Sequence, residues 1–139
     1  MLSYLSLGSN LGNKEDNLTK AVSLISEKVG NVVRQSSFYY SEPWGFQSEN
    51  SFVNLCIAVD TSLAPLDLLH STQLIERTMG RTRKSKDGLY HDRIIDIDIL
   101  LYGDQHISLP ELQIPHPLMT RRDFVMIPLR EIMDTGQQE

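Results

Sequence analysis

The sequence predicts an α+β domain in which an antiparallel sheet carries helices packed on one face, in the order strand, helix, strand, strand, helix, strand. Three observations point there. Period-two alternation runs through "LSYLSLG" and "FVNLCIAVDTS", apolar residues at helical spacing fill the segment after the first strand and the one before the last, and "DRIIDIDILLYG" closes the series with an aliphatic strand. This is the βαββαβ order of a ferredoxin-like plait. The 139 residues are expected to form one domain, residues 1–139.

Residues 2–8 read as the first strand, with Ser3, Leu5 and Leu7 on one face and Leu2, Tyr4 and Ser6 on the other. "GSNLGN" is turn chemistry, and Asn13 can cap the helix whose buried side is Leu18, Ala21, Val22, Ile25 and Val29. Gly30-Asn31 ends it. "NVVRQSSFYYSE" reads as one second strand and "PWGFQSENS" as a loop. The third strand puts Phe52, Asn54, Cys56 and Ala58 opposite Val53, Leu55, Ile57 and Val59. Pro65 suits the first turn of a second helix whose buried side is Leu66, Leu69, Ile75 and Met79, and Gly80 stops it. Residues 93–102 are the last strand. Two prolines around His116 fix a rigid turn, and "FVMIPLREIM" is a short final helix or turn.

Composition bounds the function. Hydrophobic residues make up 40%, and no apolar run reaches membrane-spanning length, so a membrane partner is not expected. The first residues alternate and have no basic flank, so a strand is expected there rather than a leader peptide. The lone cysteine, Cys56, fits an inert buried thiol in a reducing compartment, so the cytoplasm is expected. Net charge of −5 argues against nucleic acid. Residues 81–93 nevertheless carry a net +3, and such a basic loop on an acidic chain suits a small polyanion.

Asp96 and Asp98 are the anomaly. Asp is depleted in strands, yet two sit at alternate positions, pointing to one face with Cα atoms about 6.6 Å apart. Carboxylates this close repel unless a cation lies between them, and hard oxygen ligands suit Mg²⁺, which completes its shell with water and phosphate oxygens. For a bare D-x-D, a charged edge strand that resists aggregation is the better reading. The long apolar strand and the basic loop leading into it favour the metal. Arg81, Arg83, Lys84 and Arg93 in or beside that loop supply forks and point charges for phosphate. Gln73 and Glu76 share a face of the second helix. "GSNLGNK" is not a phosphate loop, because three residues rather than four separate Gly8 from Gly12 and Asn13 precedes the lysine. Phe38, Tyr39, Tyr40, Trp44, Phe46, Phe52 with the amide Asn54, and Phe124 lie in and around the expected loops; a flat heterocycle could stack there and hydrogen-bond in plane, while Phe38 and Tyr40 read better as core. His116 has no second histidine at metal-ligand spacing, which excludes zinc.

Together "GSNLG", "FVNLCI", "QLIERTMGRTR", "DRIIDIDILLYG" and "IPHPLMTRRDFV", in this order from residue 2 to about 132, resemble the 6-hydroxymethyl-7,8-dihydropterin pyrophosphokinases of folate biosynthesis. The resemblance implies transfer of pyrophosphate from ATP to a reduced pterin, releasing AMP, with two Mg²⁺ ions on Asp96 and Asp98 and with Arg81 and Arg93 assisting. It implies ATP contacts from Gln73, Glu76, Arg83, Arg93, Ile99, His116 and Arg122. It implies pterin contacts from Ser41, Glu42, Pro43, Trp44, Phe52, Asn54 and Phe124. It also implies three mobile loops, here about residues 9–14, 43–51 and 81–92. The chain departs from the family at Tyr90-His91-Asp92, where Trp-Gly-Pro is common, and at Glu111 and Gln113, where some members carry ATP-binding Arg and Thr; those two contacts are not carried over. A monomer acting on small molecules is expected, with a dimer left open. Two rival readings are a metal-dependent phosphoester hydrolase and a non-catalytic ligand-binding module of the same fold.

Overall fold

Alternation builds the central strand β1 (Leu2–Ser9), with Ser3, Leu5 and Leu7 fully buried on one face. The structure, a computed structural model, describes residues 1–41, 51–80 and 94–137. After β1 the chain turns through Gly12, whose φ of 68° only glycine adopts without strain. Asn13 then caps α1 (Lys14–Lys28), its side-chain oxygen accepting the Asp16 N–H at 3.2 Å. Leu18, Ala21 and Ile25 form the buried stripe of α1.

The segment expected as one second strand is two, β2 (Gly30–Gln35) and β3 (Tyr39–Ser41). The break has a local cause. Ser36 donates its N–H to the Cys56 carbonyl, while its hydroxyl accepts the Cys56 N–H, both at 2.9 Å. A side chain thus replaces a main-chain carbonyl and the strand bends. Ser37 donates its N–H and its hydroxyl to Glu131. Both strands pair with one edge of β4 (Phe52–Thr61).

Pro65 opens α2 (Pro65–Thr78), and Gly80 at φ 112° follows it. The buried side of α2 is Leu68, Thr72, Ile75 and Glu76. Of the expected stripe only Ile75 lies there, and Leu66, Leu69 and Met79 are half-buried flanks packed on the core. The sheet closes with β5 (Asp96–Tyr102), so two described residues of the expected strand, Ile94 and Ile95, precede it. The order is β2–β4–β1–β5, every pair antiparallel, with β3 beside β2 on β4. That is the predicted plait.

The expectation that helices cover only one face is corrected. One core joins α1 and α2 to Leu5, Leu7, Leu55, Ile57, Val59, Ile97 and Ile99. A second lies on the opposite face, where Cys56, Ala58 and Leu100 meet Val125, Leu129 and Ile132 of α3 (Asp123–Gln137). The sequence pointed to a short final element because Pro128 interrupts it. An interior proline costs about 3 kcal/mol. Three fully buried aliphatic side chains return about 1.5–3 kcal/mol each, so the helix runs through.

Leu101 is also reassigned. The register slips between Tyr4 and Leu5, so Leu5 faces Ile99 and Tyr4 faces Leu101. Leu100 is the extra residue of a β-bulge, which sends Leu101 to the α3 side and Tyr102 to the main core.

Two further elements went unpredicted: the hairpin β6 (Ile107–Ser108) and β7 (Gln113–Ile114), and a 3-10 turn at Met119–Arg121. Leu109 and Leu112 exchange main-chain hydrogen bonds across the hairpin tip, with Pro110 second in the turn, where its fixed φ belongs. No described helix is long and apolar enough to cross a membrane.

Cys56 is fully buried, and burial pushes its thiol up to about 12 against the opposing pull of a hydrogen bond from Ser6. Its thiolate is therefore scarce at pH 8. Native protein should react negligibly with a disulfide reagent such as DTNB at that pH, and unfolding in urea should release one equivalent of thiol; rapid modification of the native protein would contradict this burial.

Candidate active site

Pairing places the site. Gly8 of β1 is opposite Asn54 of β4 on one side and Asp96 of β5 on the other, while Ser6 is opposite Cys56 and Asp98. Side chains on paired positions share a face, so Asn54, Asp96 and Asp98 stand on the α3 side of the sheet. Phe52 belongs to the same face, and Ser41 is its partner on β3. Along this face the sequence turns from apolar to polar: Ala58 and Cys56 lie under α3, and Asn54 and Phe52 lie beyond it. The acids lie beyond Leu100 in the same way. Asp96 and Asp98 are half-exposed.

The start of α3 reaches this face. Arg122 is buried, with its guanidinium carbon 5.6 Å from the centroid of the Phe124 ring, within cation–π range. Phe124 packs at the margin of the second core. The amide of Asn54 is only 4% exposed; it donates weakly to the Leu7 carbonyl at 3.4 Å, and its side-chain oxygen has no hydrogen-bond partner among the described residues. The hydroxyl oxygen of Ser41 is likewise buried with no partner among the described residues. Buried polar atoms left unsatisfied cost about 1–3 kcal/mol each. Here they sit at the end of the sheet where a polar ligand can satisfy them.

A cavity of about 250 Å³ opens at the outer edge of β5. Leu69, Ile97, Ile99 and Leu112 give it apolar walls, while Asp98, Glu111, Gln113 and His116 supply polar groups. The hairpin missing from the sequence reading forms one side, and the turn "LPEL" was the signal for it. The turn at His116 is pinned to the sheet by its N–H donating to the Leu100 carbonyl at 3.0 Å. Asp98 lines this cavity and also stands on the polar face.

Glu76 is 6% exposed, and its carboxylate accepts the Ile97 N–H at 2.7 Å. That charged hydrogen bond, worth about 1.5–3 kcal/mol, holds β5 midway between its two acids. Gln73 is half-buried one turn earlier on α2, and Ile99 is buried. Glu42, Pro43, Trp44, Arg81, Arg83 and Arg93 lie outside the described residues, as do Tyr90-His91-Asp92 and the loops expected at 43–51 and 81–92, save Ser51. Among the described residues no three His, Cys, Asp or Glu side chains gather as a metal cluster. Two half-exposed carboxylates at alternate strand positions still fit Mg²⁺, which takes one or two carboxylates and draws its other oxygens from water and substrate.

Burial holds the His116 imidazole below its ordinary pKa of 6.5, and the Arg122 cation adds to this against the pull of Asp96. The Leu118 N–H also donates to its Nδ1, which requires an unprotonated nitrogen there. The folded state therefore disfavours the proton, and the stabilising contribution is complete above pH 6.5 and lost as the pH falls toward the lowered value. Urea unfolding of wild type and His116→Asn at pH 8 and pH 5 should show wild type losing more stability than the variant on acidification. An equal loss in both would contradict this assignment.

Comparison with known proteins accords with this geometry. A profile of the 7,8-dihydro-6-hydroxymethylpterin-pyrophosphokinase (HPPK) family matches residues 4–134. The 2-amino-4-hydroxy-6-hydroxymethyldihydropteridine pyrophosphokinase of Porphyromonas gingivalis is 50% identical over 93% of this chain and 88% of its own length. The protein of the same name from Bacillus subtilis is 39% identical over 99% of this chain and 81% of its own. The crystal structure of wild-type HPPK-DHPS from Plasmodium falciparum superposes with a TM-score of 0.70 at 17% identity, covering 93% of this chain and 40% of that one; this likeness is one of fold. The chain belongs to the 7,8-dihydro-6-hydroxymethylpterin-pyrophosphokinase family.

Proposed function

We propose that this pyrophosphokinase of folate synthesis transfers the terminal pyrophosphate of ATP to the hydroxymethyl oxygen of 6-hydroxymethyl-7,8-dihydropterin, with two Mg²⁺ ions at Asp96 and Asp98. The observation that carries this reading is the row Asp96–Gly8–Asn54 across three adjacent strands. Two strand spacings put the acid about 10 Å from the amide. A polyphosphate chain bridges that span, between a heterocycle at Asn54 and a nucleoside in the cavity beside Asp98.

The chemistry balances without a protein nucleophile. The pterin hydroxyl oxygen bonds to the β-phosphorus, the bond from that phosphorus to the α,β-bridging oxygen breaks, and AMP leaves with that oxygen; the hydroxyl proton passes to solvent. Bound at Asp96 and Asp98, Mg²⁺ would neutralise phosphate oxygens and hold them in line. The rest falls to the chain. Phe52 and Phe124 stack on the ring, Asn54 and Ser41 satisfy its edge, and Glu42, Pro43 and Trp44 complete the pocket. Since Nδ1 of His116 accepts from Leu118, its Nε2–H is left to donate to a phosphate oxygen. Arg122, with Arg81, Arg83 and Arg93, matches the charge that develops on the transferred group. Gln73, Glu76 and Ile99 hold the nucleotide side. The domain acts as a monomer on small molecules, and a cytoplasmic setting accords with one free buried cysteine.

Incubation with ATP and Mg²⁺ should form AMP only when the hydroxymethylpterin is present. AMP or phosphate released without pterin would favour the phosphoester hydrolase reading, and no AMP under either condition would favour a binding module. Asp98→Ala should lower turnover by at least about 10²-fold, the scale for losing one preorganised electrostatic group, with its circular dichroism unchanged. Near-normal turnover in that variant would sink the metal assignment.

A further inference from the structure

We propose that Gly8 is a positioning residue: its missing side chain leaves the notch in which the Asn54 amide lies, and so sets which edge of that amide meets the heterocycle. This rests on the proposed pterin site. A Cβ built on Gly8 would stand 2.5 Å from the Asn54 amide nitrogen and 3.5 Å from its Cγ. The next atom, Cδ1 of Phe52, would be 3.7 Å away, an ordinary contact. The backbone does not demand glycine here. Gly8 lies inside β1, and among the described residues the positive-φ glycines are Gly12, Gly80 and Gly103. What the position requires is space, and the space is filled by one group.

That group has only one good orientation. Lying over Gly8, the amide directs its nitrogen to the Leu7 carbonyl at 3.4 Å and leaves its oxygen buried and, among the described residues, unpartnered. The site therefore offers an acceptor, suited to an N–H or amino group on the ring edge. Adding a methyl at Gly8 drives the amide nitrogen off its seat. The amide must turn about its two side-chain torsions, and the acceptor no longer faces the ligand. Asp96 is the other cross-strand partner of Gly8, but none of its atoms is among the three nearest the added carbon, so the phosphate side is spared.

Gly8→Ala should fold with near-wild-type circular dichroism and thermal midpoint. Its KM for the hydroxymethylpterin should rise about tenfold or more, the scale of one lost ligand hydrogen bond. The KM for ATP and the kcat at saturating pterin should stay within about threefold, the pattern for lost uniform binding. Asn54→Ala should raise the pterin KM as well, and the double variant should be no worse than Asn54→Ala alone, because Gly8 acts only through the amide. An unfolded Gly8→Ala, an unchanged pterin KM, an equal rise for ATP, or additive effects in the double variant would each overturn the proposal. A wild type that forms no pterin-dependent AMP would overturn the reading beneath it, and the proposal with it.

Discussion

The site depends on β1 being hydrogen-bonded on both edges. Its pairing with β4 and β5 fixes, in one register, which residues of three strands stand together. A slip of one residue on either side would send Asn54 or the two acids into the main core and bring aliphatic side chains out to the ligand face. The register is held by burial on both faces of the sheet. Leu5 and Leu7 lock one face under α1 and α2, while Cys56, Ala58 and Leu100 lock the other under α3. The polar residues of the site are thus positioned by apolar contacts they do not make.

Much of the fold was legible because its strands obey period two. In β1 and β4 every predicted face assignment holds, and Asn13, Pro65 and Gly80 punctuate the helices as their chemistry demands. What escaped reading depends on partners distant in sequence. The break between β2 and β3 follows from Ser36 bonding Cys56 twenty residues away. The bulge at Leu100 is visible only against β1. The length of α3 is decided by the patch it covers, which outweighs the local signal of Pro128.

The site divides in the same way. Asp96 and Asp98 announce themselves because charge in an aliphatic strand violates propensity, and violations of local rules gather where function is. Asn54 gave a weaker signal as an amide among aromatics. Gly8 gave almost none, since a glycine before a turn is unremarkable until the cross-strand neighbour is known. The cavity wall at Pro110 to Gln113 was readable as a turn but not as a wall. That role follows from where the hairpin docks.

Glu76 has a second consequence. β5 ends the strand order as an edge strand, and exposed edges invite strands from other molecules. The Ile97 N–H would be the natural first rung of such a ladder, yet it is already bonded to a buried carboxylate from the facing helix. Farther along the same edge, the Leu100 carbonyl is taken by His116. Two of the main-chain groups along this edge are therefore already engaged, which weakens it as a template for another strand. The strand that carries the half-exposed acids thus presents an edge already partly spoken for by side chain and turn.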